Sequence, residues 1–156
     1  MNKTSLSELL NRDGRLIYSN VGDSMMPLIK QGRDLLVIEK PAVWDKLPKN
    51  STTGKLNKYD IALYKRDGGK NYVLHRVLKV RNNEYVICGD NRWNREYGIT
   101  DRHVLGVLTA IIRDGKEKKL SGWWYTLYVF CWCSLFSVRA FILRGLTFLK
   151  RIFRKS

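Results

Sequence analysis

The sequence predicts a mainly β domain, a coiled sheet or partial barrel, followed by a helical tail. Three observations lead there. Between Leu16 and Arg113, short apolar runs containing β-branched residues recur, separated by turn-forming clusters. At 156 residues the chain has one domain by default. Composition then changes at Ser121, beyond which acidic residues vanish and aromatics crowd together.

The elements follow in order. Thr4 to Leu10 is a short helix candidate capped by Thr4 or Ser5, with Glu8 three residues after Ser5. Asn11-Arg12-Asp13-Gly14 stops it, and Leu16 to Val21 is short and strand-like. Leu35 to Glu39 is the next strand, before a loop from Pro41 to Asn57 that holds Pro41, Pro48 and Gly54. Asp60 to Lys65 is a strand closed by Asp67-Gly68-Gly69. Asn71 to Val80 and Glu84 to Cys88 are joined by a hairpin turn at Arg81-Asn82-Asn83. Val104 to Arg113 is the last strand, ended by Asp114-Gly115, and Gly115 to Lys119 is a charged hinge. The expected division is a short N-terminal segment over 1–20, a β domain over 21–115, and an apolar, basic tail over 121–156.

Trp123 to Val138 is a run of 16 residues without a charge. A comfortable membrane span needs roughly 20. Beyond it, Arg139, Arg144, Lys150, Arg151 and Arg154 alternate with apolar residues at a helical, amphipathic period. Trp123, Trp124, Tyr125, Tyr128 and Trp132 suit the head-group layer of a bilayer. Two arrangements fit: a short spanning helix followed by a basic interfacial segment, or one long helix lying in the interface. The five aromatics and the lack of acidic residues argue against a buried helix pair. Met1 to Asn20 has no long apolar core, so neither a secretory signal nor a span is expected there, and membrane contact is expected from the tail.

Lys and Arg total 29 against 14 acidic residues, for a net charge of +15. Such a balance favours anionic partners: lipid head groups, nucleic acid or acidic peptides. No DNA-reading helix pair is apparent, and nucleic acid is not expected as a partner. Cys88 lies in an apolar run and reads as a small buried hydrophobe. Cys131 and Cys133 flank Trp132 with no His, Asp or Glu nearby, so neither a metal site nor a disulfide framework is expected.

The chemistry concentrates in four blocks. The first is Val21-Gly22-Asp23-Ser24-Met25-Met26-Pro27. Lys58-Tyr59-Asp60-Ile61-Ala62-Leu63-Tyr64, Tyr72-Val73-Leu74-His75-Arg76-Val77 and Ile87-Cys88-Gly89-Asp90-Asn91 follow. A lone Ser after Gly-Asp is usually a cap or turn hydroxyl. Four blocks in this order resemble the signal peptidase and self-cleaving repressor superfamily of serine peptidases, from about Val21 to Ile112. The chain looks closest to the Ser–His branch of the endoplasmic reticulum and archaea, because His75 stands where most bacterial relatives carry Lys.

The resemblance implies a signal-peptidase-like β fold and peptide-bond hydrolysis through an acyl-enzyme, with small residues before the cut and no cofactor or metal. Ser24 aligns with the nucleophile, and His75 is the general base that activates it. A carboxylate is needed to hold the histidine tautomer. Asp90 matches a family acidic position and is favoured; Glu96 is held in reserve as the third member, and Asp101 lies further on. The Ser24 backbone N–H is the oxyanion donor. Many signal peptidases add a hydroxyl two residues before the nucleophile, but Gly22 stands there, so a backbone-only hole or another donor is required. Met25, Met26 and Pro27 are expected to wall the substrate site. His103 reads as a surface histidine at a strand start. Arg76 either pairs with a carboxylate of the site or caps the sheet, and Trp93 is left open between substrate and membrane.

The expected activity is a membrane-associated serine endopeptidase cleaving signal or leader peptides from precursor proteins, with precursor substrate and anionic lipids as partners. Two other classes compete: a self-cleaving regulator of the repressor type, and a non-catalytic protein binding anionic membranes. Twenty residues before the first block are too few for a helix-turn-helix domain. Signal peptidases usually carry their anchor before the nucleophile, whereas the apolar segment here comes last.

Overall fold

The structure, a computed structural model, describes residues 6–19, 21–48 and 50–153. Helix α1 (Leu6–Asp13) leads into strands β1 (Arg15–Ser19) and β2 (Asp34–Glu39). A 3-10 turn over Ala42–Lys46 precedes β3 (Ile61–Lys65), β4 (Tyr72–Val80), β5 (Tyr85–Cys88) and β6 (Glu96–Ile99). Strands β7 (Val104–Arg113) and β8 (Lys116–Lys119) end the sheet. The tail forms α2 (Trp123–Tyr128), a π-helical segment (Val129–Ser134) and α3 (Phe136–Phe153).

The domain is mainly β, as expected. Every pairing is antiparallel, in the order β1-β2-β7-β3-β4-β5-β6, with β8 added to β7. Among the described residues no pairing joins β1 to β6, so the sheet is open rather than closed. Register shifts that leave an extra residue on β7 (against β2 and again against β3), on β4 and on β6 bend it. The central strand β3 is buried on both faces. Ile61 and Leu63 face a cluster with Met25, Leu36 and Leu74, while Ala62 and Tyr64 face a second cluster with Val77, Tyr85 and Ile87. Strict alternation along one strand thus feeds two cores.

Several boundaries differ from the expectations. Helix α1 continues through Asn11, Arg12 and Asp13 and ends only at Gly14, whose φ of 67° suits glycine and whose N–H bonds the Leu10 carbonyl. The expected caps Thr4 and Ser5 lie outside the described residues. Leu10 is buried in the first cluster and β1 is a full sheet member, so residues 6–19 of the N-terminal segment belong to the β domain. The expected charged hinge is strand β8, paired with β7 across the Asp114-Gly115 turn. Its four side chains are all exposed, so no alternation marks it as a strand. Strand β6 lies in a stretch with no strand assigned from sequence.

The tail is broken rather than continuous. The stretch Trp123–Cys133 meets Phe136–Gly145 at 63°, and no single helix among the described residues is long and apolar enough to cross a membrane. The bent pair passes the same test of length and composition. Where it is described, the tail also packs on the sheet domain, through contacts set out below.

Candidate active site

Ser24 sits in a turn between β1 and β2. Gly22 begins it with a φ of 101°, a conformation that a residue with a side chain would adopt only under strain. This gives a backbone reason for the absence of a hydroxyl two positions before Ser24. The turn is closed by Met26 N–H to Asp23 O at 3.1 Å and Ile29 N–H to Met25 O at 3.0 Å.

A second turn, Gly89-Asp90-Asn91-Arg92, clamps the first. Its own closure is Arg92 N–H to Gly89 O at 3.0 Å. Asn91 N–H donates to the Ser24 carbonyl at 2.8 Å, and Arg92 Nη2 donates to Asp23 Oδ1 at 2.6 Å. Gly89 is the tightest point. A Cβ placed there would lie 2.6 Å from the Ser24 carbonyl oxygen and 3.1 Å from Cδ2 of His75. The backbone of Ser24 and the ring of His75 therefore converge on one glycine. Gly89→Ala would drive a methyl into a backbone carbonyl that cannot swing away. We expect it to push the Ser24 turn away from the His75 ring and to cost about 1–3 kcal/mol of stability, read as a fall in the thermal midpoint.

His75 lies on β4 opposite Ala62 of β3 and is mostly buried. Its Nδ1 meets Glu96 Oε1 at 2.8 Å. The other Glu96 oxygen accepts from Tyr64 OH at 2.7 Å and from Arg66 Nη2 at 2.5 Å and Nε at 3.1 Å. The carboxylate is thus held on three sides. Burial pushes its pKa up, but bonds from His75, Tyr64 and Arg66 outweigh that and hold it at about 2. Burial and the adjacent Glu96 push the Tyr64 phenol well up, so it remains a donor throughout the working range.

The sign of the linkage follows. Glu96 has a depressed folded pKa, so its stabilisation is complete above the unfolded glutamate value of about 4.3. It fades as pH falls toward the folded value of about 2. Glu96→Gln is expected to flatten the fall in stability over that interval, read as the urea midpoint against pH.

The preferred third member, Asp90, is not at His75. It is fully buried and doubly paired with Arg76, Nε to Oδ1 at 2.8 Å and Nη2 to Oδ2 at 2.7 Å. Tyr128 OH adds a third bond to Asp90 Oδ2, at 2.8 Å. The reason is strand geometry. His75 and Arg76 are consecutive on β4, so their side chains leave on opposite faces. A carboxylate fixed to Arg76 is on the wrong side for His75. The reserve residue, Glu96, begins β6 and makes the contact instead. Sequence inspection missed Tyr64 and Arg66. Tyr64 lies diagonally across β3 and β4 from His75, with ring centroids 6.3 Å apart, a neighbour relation that the two strand registers contain.

Other expectations change. Met25 is fully buried in the first core cluster and walls no groove, while Met26 and Pro27 are exposed. Pro27 faces Trp124 and Tyr128 of the tail. The groove at Ser24, about 530 Å³, is lined instead by residues that include Tyr18, Val21, Leu63, Lys70 and Tyr72. His103 is buried rather than on the surface. Its Nδ1 accepts from Thr100 N–H at 3.0 Å and its Nε2 lies 3.2 Å from Asp67, an arrangement that caps the 3-10 turn Asp101–His103. Asp101 binds Ser51 and the Gly54 and Lys55 amides, away from His75. Trp93 shares a cavity with Phe136 and Phe141 of the tail. Cys88 is buried.

Among the described residues the Ser24 hydroxyl has no hydrogen-bond partner, and the Ser24 N–H has no protein acceptor. Catalytic hydrogen bonds are often long before substrate arrives. Compared with protein-family models, with curated proteins and with solved structures, the chain matches none.

Proposed function

We propose that this protein is a serine endopeptidase of the signal-peptidase type, cutting extended segments of precursor proteins or peptides beside a membrane. The observation that carries this is the Tyr64/Arg66–Glu96–His75 chain. It ends on a histidine whose ring shares the Gly89 contact with the backbone of a turn serine.

The chemistry is as follows. With Nδ1–H donated to Glu96, His75 presents the Nε2 lone pair. Nε2 takes the Ser24 hydroxyl proton as Oγ attacks the scissile carbonyl carbon. The Ser24 N–H faces the oxygen that gains charge. The imidazolium, stabilised by Glu96, returns its proton to the leaving amine as the C–N bond breaks. Water then attacks the acyl-enzyme with His75 again as base, releasing acid and free serine.

Substrate lies along a strand edge. Strand β5 pairs with β4 only over Arg76–Val80, so among the described residues no strand covers the outer edge of Tyr72–His75, and the groove at Ser24 runs beside it. Among the described residues β1 pairs only with β2, and its Tyr18 borders the same groove. An extended peptide added there gains backbone hydrogen bonds and passes Ser24.

The test is cleavage of a panel of signal- and leader-bearing precursors in detergent micelles, followed by mass spectrometry, with wild type and Ser24→Ala side by side. Cleavage by wild type alone supports the proposal and reports the cut site. No cleavage by folded wild type on any precursor counts against it.

A further inference from the structure

The C-terminal unit has two chemically different faces. The inner face is committed to the β domain. Tyr125 OH accepts from Arg76 Nη1 at 2.7 Å, Tyr128 OH donates to Asp90, and both rings stack near the Arg76 guanidinium. Arg139 is buried 3.9 Å from the Asp90 carboxylate. The outer face is apolar and uncovered. Trp123, Leu127 and Phe130 recur at helical spacing, and Val138, Phe141 and Ile142 continue the face on α3. Trp123 is 80% exposed, Phe130 64% and Phe141 81%.

Charge selects the occupant. From Ser121 to Ser156 the chain has six basic residues and no acidic one. A second copy would bring another tail of the same sign and no acidic residue to pair with it, which opposes pairing. An anionic bilayer supplies an apolar medium and the opposite charge together. The 63° bend and the docked inner face suit a unit that lies in the interface rather than crossing.

The inner face also reaches the candidate nucleophile through one peptide group. The Asp90 carbonyl accepts from Trp132 Nε1 at 3.0 Å, and the N–H of that same peptide, Asn91, donates to the Ser24 carbonyl at 2.8 Å. The two bonds share one amide and polarise each other. The dock is not saturated: Arg139 Nε is buried without a partner among the described residues, which costs the docked state free energy. A force holding the helix from outside therefore has an equilibrium to shift.

We infer that the outer face of this unit docks on an anionic phospholipid bilayer, and that docking secures the Trp132–Asp90–Asn91–Ser24 linkage and raises turnover at Ser24. Only the turnover clause rests on the peptidase function proposed above. The experiment uses the full chain with vesicles of phosphatidylcholine alone or mixed with phosphatidylglycerol, scored by co-sedimentation at low and high salt. Amide exchange at Asn91 is followed in wild type and Ser24→Ala, with cleavage of a precursor peptide in parallel.

The expected result is binding to anionic vesicles, weakened by salt and by neutral lipid, with several-fold slower Asn91 exchange and several-fold faster cleavage. Phe130→Ser combined with Phe141→Ser changes only exposed side chains, and should weaken vesicle binding about 10-fold or more and abolish both effects. No binding by folded wild type, or a dimer that hides the face, overturns the docking surface. Binding with Asn91 exchange unchanged overturns the coupling. Binding with Asn91 protected but no cleavage refutes the peptidase function and upholds the surface.

Discussion

Ser24→Ala is expected to lower peptide cleavage on the order of 10⁴-fold or more while leaving the fold intact. In the proposed mechanism the Ser24 Oγ is the one atom whose loss no neighbour replaces. In that mechanism Glu96 orients the base and the Ser24 N–H stabilises charge, but neither forms the acyl bond. The stability side of the prediction rests on geometry. The Ser24 hydroxyl has no partner among the described residues, so its removal leaves no buried group unpaired. The stability should change by no more than a surface substitution does, about 0.5 kcal/mol in either direction. Single-turnover kinetics and a melt on the same preparation test both halves. A residual rate near wild type would rule out Ser24 as nucleophile, whatever His75 does.

Asp90→Ala should have the opposite profile: a large loss of stability. Asp90 and Arg76 are both fully buried, and Asp90 also holds Tyr128 and Trp132 of the tail. Removing the carboxylate strands the Arg76 guanidinium in the core beside Arg139, which is also buried. Breaking a buried pair from one side costs roughly 3–5 kcal/mol. At about 2–4 °C per kcal/mol for a chain of 156 residues, the midpoint falls by roughly 6–20 °C. Chemical denaturation and a thermal scan measure it. A stability near wild type would mean that the pair is not formed. The double change to apolar residues, Arg76→Met with Asp90→Leu, leaves no stranded charge and should recover much of the loss.

The contrast between Asp90 and Glu96 shows where local pattern ends. Strand β7 is found at its predicted limits, Val104–Arg113, because ten residues that fit a half-buried ladder carry their own signal. The β4–β5 hairpin is legible for the same reason, with Arg81 N–H to Glu84 O closing it at 2.9 Å. Strand β8 is not, because Lys-Glu-Lys-Lys buries nothing and forms only as the return arm of a turn. Met25 looked like a groove residue beside Ser24, yet the turn aims it into the core.

By itself the sequence determined a mainly β chain with turns at known places, a serine in a glycine-started turn, a histidine on a strand, and an amphipathic basic tail. Each of these depends on residues a few positions apart, where periodicity and turn chemistry act. Only the tertiary structure decided which carboxylate meets His75, which residues wall the groove, and which face of the tail docks on the Asp90 turn. Those outcomes depend on strand registers and on the path of residues 89–95. Both are set by burial and pairing between segments far apart in the chain, and no local window contains them.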